Sequence, residues 1–271
     1  MGRWPAKPSR RFSGSVGKAF QILATFSVPR PELSASEIAA ETGLDRSTTH
    51  RFLTTLLDIG VLVQDPATRR YRLGLPLLDY GYVLLNTLEI RRIALSHLHE
   101  LHRAIEGTIS LGVRDGTEVV LVERSFGPWV PSGGFEIGQR LPMHASATGL
   151  AILAFLDPAA LERVLHELQL EPKTPHTLRT ETALVERLAS IRRQGYATSD
   201  EELLVGLRSI AVPIMGERNA AVAALSLARR TTVDASMEEL TDRFLPRLEG
   251  VAERISAALG HRPFVAPPAL G

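Results

Sequence analysis

The chain contains no cysteine, and only 6% of its 271 residues are aromatic. Without cysteine it has neither disulfide bonds nor thiolate metal ligands. No apolar run approaches the roughly 20 residues of a membrane span, and the N-terminus lacks the apolar core of a signal peptide. The sequence therefore predicts a cytoplasmic protein with no membrane partner, and its length suffices for two hydrophobic cores.

The net charge is close to zero, at +1 for the whole chain, but it is unevenly distributed. Residues 1–72 carry eleven Lys and Arg against six Asp and Glu, a balance of +5, so the remainder carries −4. An excess of positive charge at one end steers that end toward phosphates. We therefore expect the N-terminal quarter to approach nucleic acid.

The stretch 33–73 has the pattern of a winged helix-turn-helix. A first helical segment follows Ser36, and Gly43 is placed to end it in the left-handed conformation. Asp45 occupies the N-cap position of a second segment, Arg46 to Ile59. Apolar residues recur at helical spacing along that segment and predict that one of its sides is buried.

The other side of the second segment carries polar and basic residues at its N-terminal end, where recognition helices contact base edges and phosphates. After Gly60, a strand, a turn and a returning strand with three arginines predict a basic wing. Each piece alone is commonly an ordinary solvated helix or hairpin, but their order is that of a DNA-binding domain. The expected contacts to a double-stranded DNA operator come from Arg46, Ser47, Thr48, Thr49, His50, Arg51, Arg69 and Arg70.

Two long helices connect this region to the rest of the chain. The apolar residues of the segment Leu77 to Leu88 cover more than a single stripe of the helix surface. A helix of this kind is commonly buried on two sides, which favours packing against its counterpart in a dimer. The alternative is packing within its own chain. A further helix, Ile90 to Ile105, leads into a region where strands alternate with helices. We expect a homo-oligomer, either a dimer or a tetramer.

The C-terminal region has the pattern of an α+β sensor domain of the GAF or PAS type. Residues 108–114 and 118–125 flank Asp115-Gly116, a strong hairpin signal. A loop rich in glycine and proline, 127–138, comes next. Helices and two more strands follow, which indicates an antiparallel sheet with helices around it. The predicted elements are a helix after Ser146, helices 158–168 and 182–194, strands 210–215 and 220–228, and a last helix 237–259.

The predicted organisation has five parts, each distinguished by composition or by hydrophobic period. The two ends are rich in proline, which suggests a flexible basic arm and a disordered tail. Between them lie the two domains and the linker helix. The predicted boundaries are 1–14 for the arm, 15–74 for the winged helix-turn-helix, 75–89 for the linker helix, 90–260 for the effector-binding domain and 261–271 for the tail.

Several segments, in order, carry a resemblance to a known family. The chain resembles the IclR family of bacterial transcriptional regulators from about Gly17 to Leu259. Part of the C-terminal pattern, 206–213 with Phe244-Leu245-Pro246, is similar to the branch that controls aromatic acid breakdown through the β-ketoadipate pathway. The segments that carry the family resemblance are 36–39 through 50–53, 71–74, 140–149, 195–197 with 200–202, and 206–213.

The resemblance implies an effector pocket on the C-terminal sheet and binding of a small organic acid, more often aromatic than not. Backbone N–H groups at the helix start 147–149 favour a carboxylate, and serine hydroxyls add polar contacts. Ala228 replaces a hydroxyl found in some relatives, which favours a larger and partly apolar ligand. The implied site residues are Leu141, Ala147, Thr148, Gly149, Ser199, Leu207, Ser209, Ser226 and Ala228.

Other constellations give no catalytic, metal or cofactor expectation. His99 and His102 share a helix face, but no further ligand completes a metal set. His144 and Ser146 lack the setting of a nucleophile elbow, and 133–138 lacks the spacing of a dinucleotide loop. We therefore expect a ligand-responsive transcription regulator that binds an operator, and no enzyme. The alternatives are an architectural DNA-binding protein without effector and an enzyme acting on a small carboxylate.

Overall fold

A computed structural model describes residues 13–105, 107–125, 135–233 and 236–262. The chain divides into two compact units that meet between Leu85 and Asn86. No helix among the described residues is both long enough and apolar enough to cross a membrane. Most of the predicted arm 1–14 and tail 261–271, and much of the predicted loop 127–138, lie outside the described residues.

The N-terminal unit is a three-helix domain with a two-stranded wing. One apolar cluster, which includes Ile22, Ile38 and Leu53, fills its core. The wing strands are antiparallel, and Leu33 pairs with Tyr71 at their edge. The elements of the unit are α1 (Gly14–Leu23), α2 (Ala35–Thr42), α3 (Arg46–Asp58), β1 (Leu62–Gln64) and β2 (Tyr71–Leu73). The predicted winged helix-turn-helix is confirmed.

The first helix of the helix-turn-helix begins two residues earlier than expected. Its N-cap is Ser34 and not Ser36, because the Ser34 hydroxyl accepts from the Glu37 amide. The Glu37 carboxylate in turn accepts from the Ser34 amide at 2.7 Å and completes a capping box. The predicted end of α2 and the predicted start of α3 are both present. Gly43 ends α2 with φ 70°, and the Asp45 carboxylate caps α3 by accepting from the Thr48 amide.

The linker helix α4 (Leu77–Thr87) spans the division between the units, and α5 (Glu89–Ala104) begins the C-terminal unit. A six-stranded antiparallel sheet of order β5-β4-β3-β8-β7-β6 forms its centre. Its strands are β3 (Thr108–Asp115), β4 (Glu118–Ser125), β5 (Arg140–Pro142), β6 (Ala197–Asp200), β7 (Leu207–Met215) and β8 (Ala221–Arg230). The remaining helices are α6 (Ala147–Ala154), α7 (Pro158–Glu167), α8 (Glu181–Gln194) and α9 (Met237–Ala258).

Helices cover both faces of the sheet. On one face Arg229 stacks over Phe244 of α9, and Glu123 forms a 2.8 Å ion pair with Arg91 of α5. On the other face α6 packs across β6, β7, β8 and β3. We call this second side the α6 face. All eight residues of α6 are buried, so it is a central helix of the unit and not a surface helix.

Strands β5 and β6 were not predicted. They have only three and four residues, too few to show an alternating pattern, and pairing with β4 and β7 defines them. The predicted strands 210–215 and 220–228 extend to 207–215 and 221–230, because cross-strand pairing continues beyond their apolar cores. The α+β class and the antiparallel sheet are confirmed.

Candidate DNA-binding face and effector pocket

The exposed side of α3 is polar and basic. Asp45 caps the helix, and hydrogen bonds from the backbone N–H and the side chain of Thr48 lower the pKa of its carboxyl. Four residues of the predicted set, Arg46, Ser47, His50 and Arg51, are exposed. They border a shallow depression together with Thr54 and Thr55 one turn later, which sequence reasoning missed. Those two follow His50 and Arg51 at a spacing of four, the signal that places them on the same side.

Thr49 does not belong to this exposed side. Its side chain is only 1% exposed, and its hydroxyl donates to the Asp45 carbonyl at 2.9 Å. Grouping it with the exposed residues was wrong, because positions 49, 53 and 56 recur at helical spacing on the buried stripe. Thr48, which is half-buried, lies between the two sides.

The wing tip is ordered by its own backbone. The Asp65 carboxylate accepts from the Ala67 and Thr68 amides, which lowers the pKa of Asp65. Arg69 at the tip has φ 57°, the left-handed region, and its side chain is exposed. The carbonyl of Arg69 accepts from the Gln64 side chain at 2.9 Å. The turn therefore fixes the backbone of Arg69, while its side chain is exposed to solvent.

Arg70 differs from Arg69 because it contacts protein carboxylates and carbonyls. Its guanidinium lies 2.8 Å from Glu37 and donates to the Glu32 carbonyl at 3.1 Å. Hydrogen bonds from the Ser34 amide and hydroxyl, and then from Arg70, lower the pKa of Glu37 to about 2. The pair therefore joins the wing to the start of α2.

The implied effector residues that belong to strands lie on the α6 face of the sheet, and Ala147, Thr148 and Gly149 form the first turn of α6 itself. Cross-strand pairing aligns Thr108, Ala228, Ser209 and Ser199 in one row across β3, β8, β7 and β6. A second row contains Arg124, Ser110, Ser226, Ala211 and Ala197. Because directly paired residues point to the same face, both rows face α6.

Ser209 and Ala228 are half-buried although they lie on two central strands. Helices otherwise cover this face, so the sheet is accessible at these two residues. The Ser209 hydroxyl has no hydrogen-bond partner among the described residues. By contrast, the hydroxyl of Ser199 donates to the Ala145 carbonyl at 3.1 Å, and that of Ser226 to the Ser110 carbonyl at 3.4 Å. Ser209 is therefore the serine best placed to bind a ligand.

The N-terminus of α6 has fewer backbone amides free to bind a ligand than the sequence suggested. Ser146 is its N-cap, and its hydroxyl accepts from the Gly149 amide at 3.1 Å. Gly149 is therefore not a free donor, and a β-carbon there would lie 2.3 Å from the Cα of Met143. The amides of Ala147 and Thr148 have no acceptor among the described residues. Unbonded amides at a helix N-terminus can donate to an anion.

The two leucines expected to line the pocket are both buried on the α6 face. Leu141 pairs with Val119 at the β5 edge, and Leu207 lies two residues before Ser209 on β7. Each is 6% exposed. Their separation across the sheet provides apolar surface on either side of the polar rows.

Two residues of the α6 face were not identified from the sequence. Arg124 is buried, with 2% of its side chain exposed, and burial lowers its pKa although Glu136 lies 4.0 Å away. Thr108 is also 2% exposed, and its hydroxyl has no hydrogen-bond partner among the described residues. Neither has a sequence signal, because a strand residue's face is known only once its register is fixed.

The weaker constellations form no site within the described ranges. Ser146 donates to the Pro142 carbonyl, and His144 binds the Glu171 carbonyl at 2.9 Å through Nε2, so the two do not form a dyad. Burial lowers the pKa of His144. No group of three or more His, Asp or Glu residues in the described part of the chain is arranged to hold a metal ion.

A winged helix-turn-helix with a basic outer side, joined to an α+β unit with a polar region on its sheet, defines a class of protein. That class is the two-domain transcriptional regulator, in which one unit binds DNA and the other binds a small molecule.

Comparison with known proteins identifies the family. Residues 15–66 match the IclR helix-turn-helix domain, and residues 83–257 match the C-terminal domain of the bacterial transcriptional regulator IclR. The chain therefore belongs to the IclR family of transcriptional regulators.

The chain is similar over nearly its full length to regulators of known role. It is 38% identical to the HTH-type transcriptional regulator XynR of Escherichia coli over 248 residues, 91% of this chain and 97% of XynR. It is 30% identical to the p-hydroxybenzoate hydroxylase transcriptional activator of Acinetobacter baylyi, over 90% of this chain and 91% of that protein. Regulators of aromatic acid breakdown are thus among its relatives.

A solved structure of similar fold contains a bound aromatic acid. It is an IclR homologue from Microbacterium hydrocarbonoxydans in complex with 4-hydroxybenzoate. The TM-score is 0.75 at 28% identity, and the match covers 91% of this chain and 99% of that one.

Proposed function

We propose that this protein regulates transcription by binding an operator through the exposed side of α3 and the wing, under the control of a small organic acid. The observation that carries the proposal is the pair of separate sites: a basic outer side on α3 and an accessible polar region on the α6 face. A purely architectural DNA-binding protein has no need of the second site. An enzyme has no need of the first.

On the DNA side, Arg46, Ser47, His50 and Arg51 are the residues proposed to contact bases and phosphates. Recognition helices insert their N-terminal turns into the major groove, and these four residues lie on the first two turns of α3. Arg69 is proposed to contact phosphate from the wing tip. Thr48 lies at the helix start, where its backbone N–H donates to the Asp45 carboxylate and its side chain is half-buried.

On the effector side, the proposed ligand is a small organic acid with an aromatic or similarly apolar body. Its carboxylate would accept from the Ala147 and Thr148 amides, in the field of the helix dipole and of the Arg124 guanidinium. Ser209 would add a hydroxyl, and Leu141 and Leu207 would contact the apolar part. Ala228 leaves room for a ring at the accessible position. The similarity to the p-hydroxybenzoate hydroxylase transcriptional activator and to the IclR homologue solved with 4-hydroxybenzoate supports this ligand class.

The proposal is tested by binding to DNA in the presence and absence of ligand. Genomic fragments selected by the purified protein supply an operator, and a thermal-shift screen of small carboxylates and phenolic compounds supplies a ligand. We expect an acid that raises the melting temperature also to change operator affinity, since the two equilibria are linked. A ligand without effect on DNA binding would contradict the regulatory role.

Two pocket variants make this test specific to the α6 face. Ser209→Ala removes one charge-assisted hydrogen bond and should weaken ligand binding by about 1 kcal/mol or more. Ala147→Leu should block the approach to the helix start, because Ala147 is only 1% exposed. DNA binding without ligand should survive both changes. Undiminished ligand affinity in both variants would place the pocket elsewhere.

A further inference from the structure

Strand β4 contains a β-bulge at Val122, directly before two adjacent residues of opposite charge. Gly112 of β3 pairs with Leu121. Its neighbour Leu111 pairs with Glu123, so Val122 is one residue in excess on β4. Successive residues of a strand point to opposite faces of the sheet, and an extra residue therefore reverses the faces of the residues that follow it. The bulge thus decides which face each of the two charged residues occupies.

With the bulge, the α6 face receives a positive charge and not a negative one. Arg124 pairs with Ser110 and faces α6, whereas Glu123 faces α5 on the other side of the sheet. Without the bulge, Glu123 would lie opposite Ser110 and would face α6 in its place. Ser110 is two residues from Gly112, and a β-carbon on that glycine would lie 2.7 Å from the Thr148 methyl group at the start of α6. The register of β4 therefore sets the sign of the charge on the face where the proposed acid binds.

Arg91, the third residue of α5, holds the bulge in place. Its Nε donates to the carbonyl of Val122, the excess residue, at 3.1 Å. Its Nη2 lies 2.8 Å from the Glu123 carboxylate, and the other oxygen of that carboxylate accepts from the Arg124 amide at 3.0 Å. These contacts require Glu123 on the side of α5. Arg91 therefore stabilises the bulged register relative to the regular one.

The bulged register also has a cost, which makes the choice between the two registers sensitive to an anion. Only 2% of the Arg124 side chain is exposed, and burial lowers its pKa, so its positive charge is disfavoured at this position. The Glu136 carboxylate lies 4.0 Å away but is 55% exposed, and the pKa of Arg124 stays lowered in spite of it. An anion on the α6 face attracts Arg124 and would repel Glu123. Binding of an acid therefore favours the bulged register.

From these contacts we propose that the β4 bulge couples the effector pocket to α5, and that Arg91 is the positioning residue that selects its register. The bulged register presents Arg124 to the acid, and the regular register presents Glu123 to α6 and releases the start of α5. That helix begins two residues after the end of the linker helix α4. The inference rests on the proposed function, since it takes a carboxylate as the effector and operator binding as the output. By linkage, an acid that favours the bulged register also strengthens the contact of Arg91 with β4.

Disulfide trapping in the full chain reads the register directly, because the chain has no cysteine of its own. Ser125 pairs with Ile109 in the bulged register and would pair with Thr108 in the regular one. Directly opposed Cα atoms lie about 4.5 to 5.5 Å apart, within the range of a disulfide, whereas adjacent strand positions point to opposite faces. The native pair is therefore Ile109→Cys with Ser125→Cys, and the shifted pair is Thr108→Cys with Ser125→Cys. Each is oxidised with and without Arg91→Met.

In the presence of Arg91 the native pair should bridge, and the shifted pair should bridge slowly. We expect Arg91→Met to raise the bridging rate of the shifted pair about ten-fold, since charge-assisted hydrogen bonds to the bulge are lost. Arg92→Met is the matched control, because Arg92 is its exposed neighbour on α5 and should change that rate by less than about two-fold. A purely structural role would leave the ratio of the two pairs unchanged, and such a result overturns the role of Arg91. If Ile109→Cys does not fold, the shifted pair alone decides between Arg91→Met and Arg92→Met.

The coupling to DNA is tested on the two disulfide-locked forms, both with Arg91→Met. Fluorescence anisotropy measures the operator affinity of each oxidised form against its own reduced form. We expect the lock in the regular register to change operator affinity by about five-fold or more relative to the lock in the bulged register. Equal affinities overturn the coupling. A wild type that binds no DNA fragment overturns the proposed function and the coupling together, whereas the bridging rates still decide the role of Arg91.

Discussion

The wing residue Arg70 lies 2.8 Å from Glu37, and the same Glu37 carboxylate completes the capping box at the start of α2. One carboxylate thus joins the wing to the helix-turn-helix. A guanidinium held in this way positions the wing, whereas Arg69 at the tip remains open to solvent.

The first prediction separates the two wing arginines by salt dependence. Arg69→Ala should weaken binding to all DNA sequences and lower the salt slope by about one, because one phosphate contact is lost. Arg70→Ala should weaken binding with a smaller change in slope, since it acts through wing position. Fluorescence anisotropy at several salt concentrations measures both. Equal changes in slope for the two variants would contradict the distinction.

The second prediction concerns the pH dependence of Glu37. Its pKa falls from 4.5 to about 2 in the folded state, so its contribution to stability is complete above pH 4.5 and is lost as the pH falls toward 2. The difference in melting temperature between wild type and Glu37→Gln should therefore shrink over that range. Glu32→Gln is the control, because the Glu32 side chain forms no ion pair among the described residues. A difference that is constant from pH 7 to pH 3 would disprove this account.

The third prediction distinguishes the buried and exposed sides of α3. Thr49→Ala should lower the free energy of unfolding by about 1 kcal/mol, since it removes a buried hydroxyl bonded to the Asp45 carbonyl. Arg51→Ala should leave stability within about 0.5 kcal/mol and weaken operator binding by roughly 1 to 3 kcal/mol if the residue reads a base. Denaturant unfolding and operator titration of both variants provide the comparison. Reversed effects would invalidate the assignment of the two sides.

The fourth prediction tests the close approach of α6 to the segment before it. Gly149→Ala places a β-carbon 2.3 Å from the Met143 Cα, so backbone must move. We expect the free energy of unfolding to fall by about 3 kcal/mol or more. Gly250→Ala in α9 is the matched control, because the nearest atom to its added β-carbon is the end of the Arg254 side chain at 3.8 Å, and alanine favours a helix by roughly 0.5 to 1 kcal/mol. Similar melting temperatures for the two variants would contradict the packing described.

The fifth prediction is the oligomeric state, which we propose to be a dimer or a tetramer formed through α4. Leu78 is 68% exposed and Leu84 is 63% exposed on this helix, although both are large and apolar. Light scattering of the wild type should give a multiple of the 29.6 kDa chain mass. Replacing both leucines with glutamate should lower it. A single species of 29.6 kDa at micromolar concentration would rule out the proposal.

The winged helix-turn-helix could be predicted from sequence because its signals are local. Gly43 ends one helix and Asp45 caps the next, and both act within a few residues of their position. The hairpin at Asp115-Gly116 is equally local, and Gly116 has the positive φ that such a turn requires. Hydrophobic period was strong enough to predict the long helices, to within a few residues at each end.

The sequence alone determined the α+β class, the order of the domains and the family, because these depend on local propensity and on several motifs in series. Only the tertiary structure decided which side chains share a surface. Helical phase turned Thr49 inward, and the pairing of the wing with α2 placed Arg70 against Glu37. Strand register brought Thr108 and Arg124 onto the α6 face. Cross-strand register joins residues more than a hundred positions apart, so no local pattern contains it.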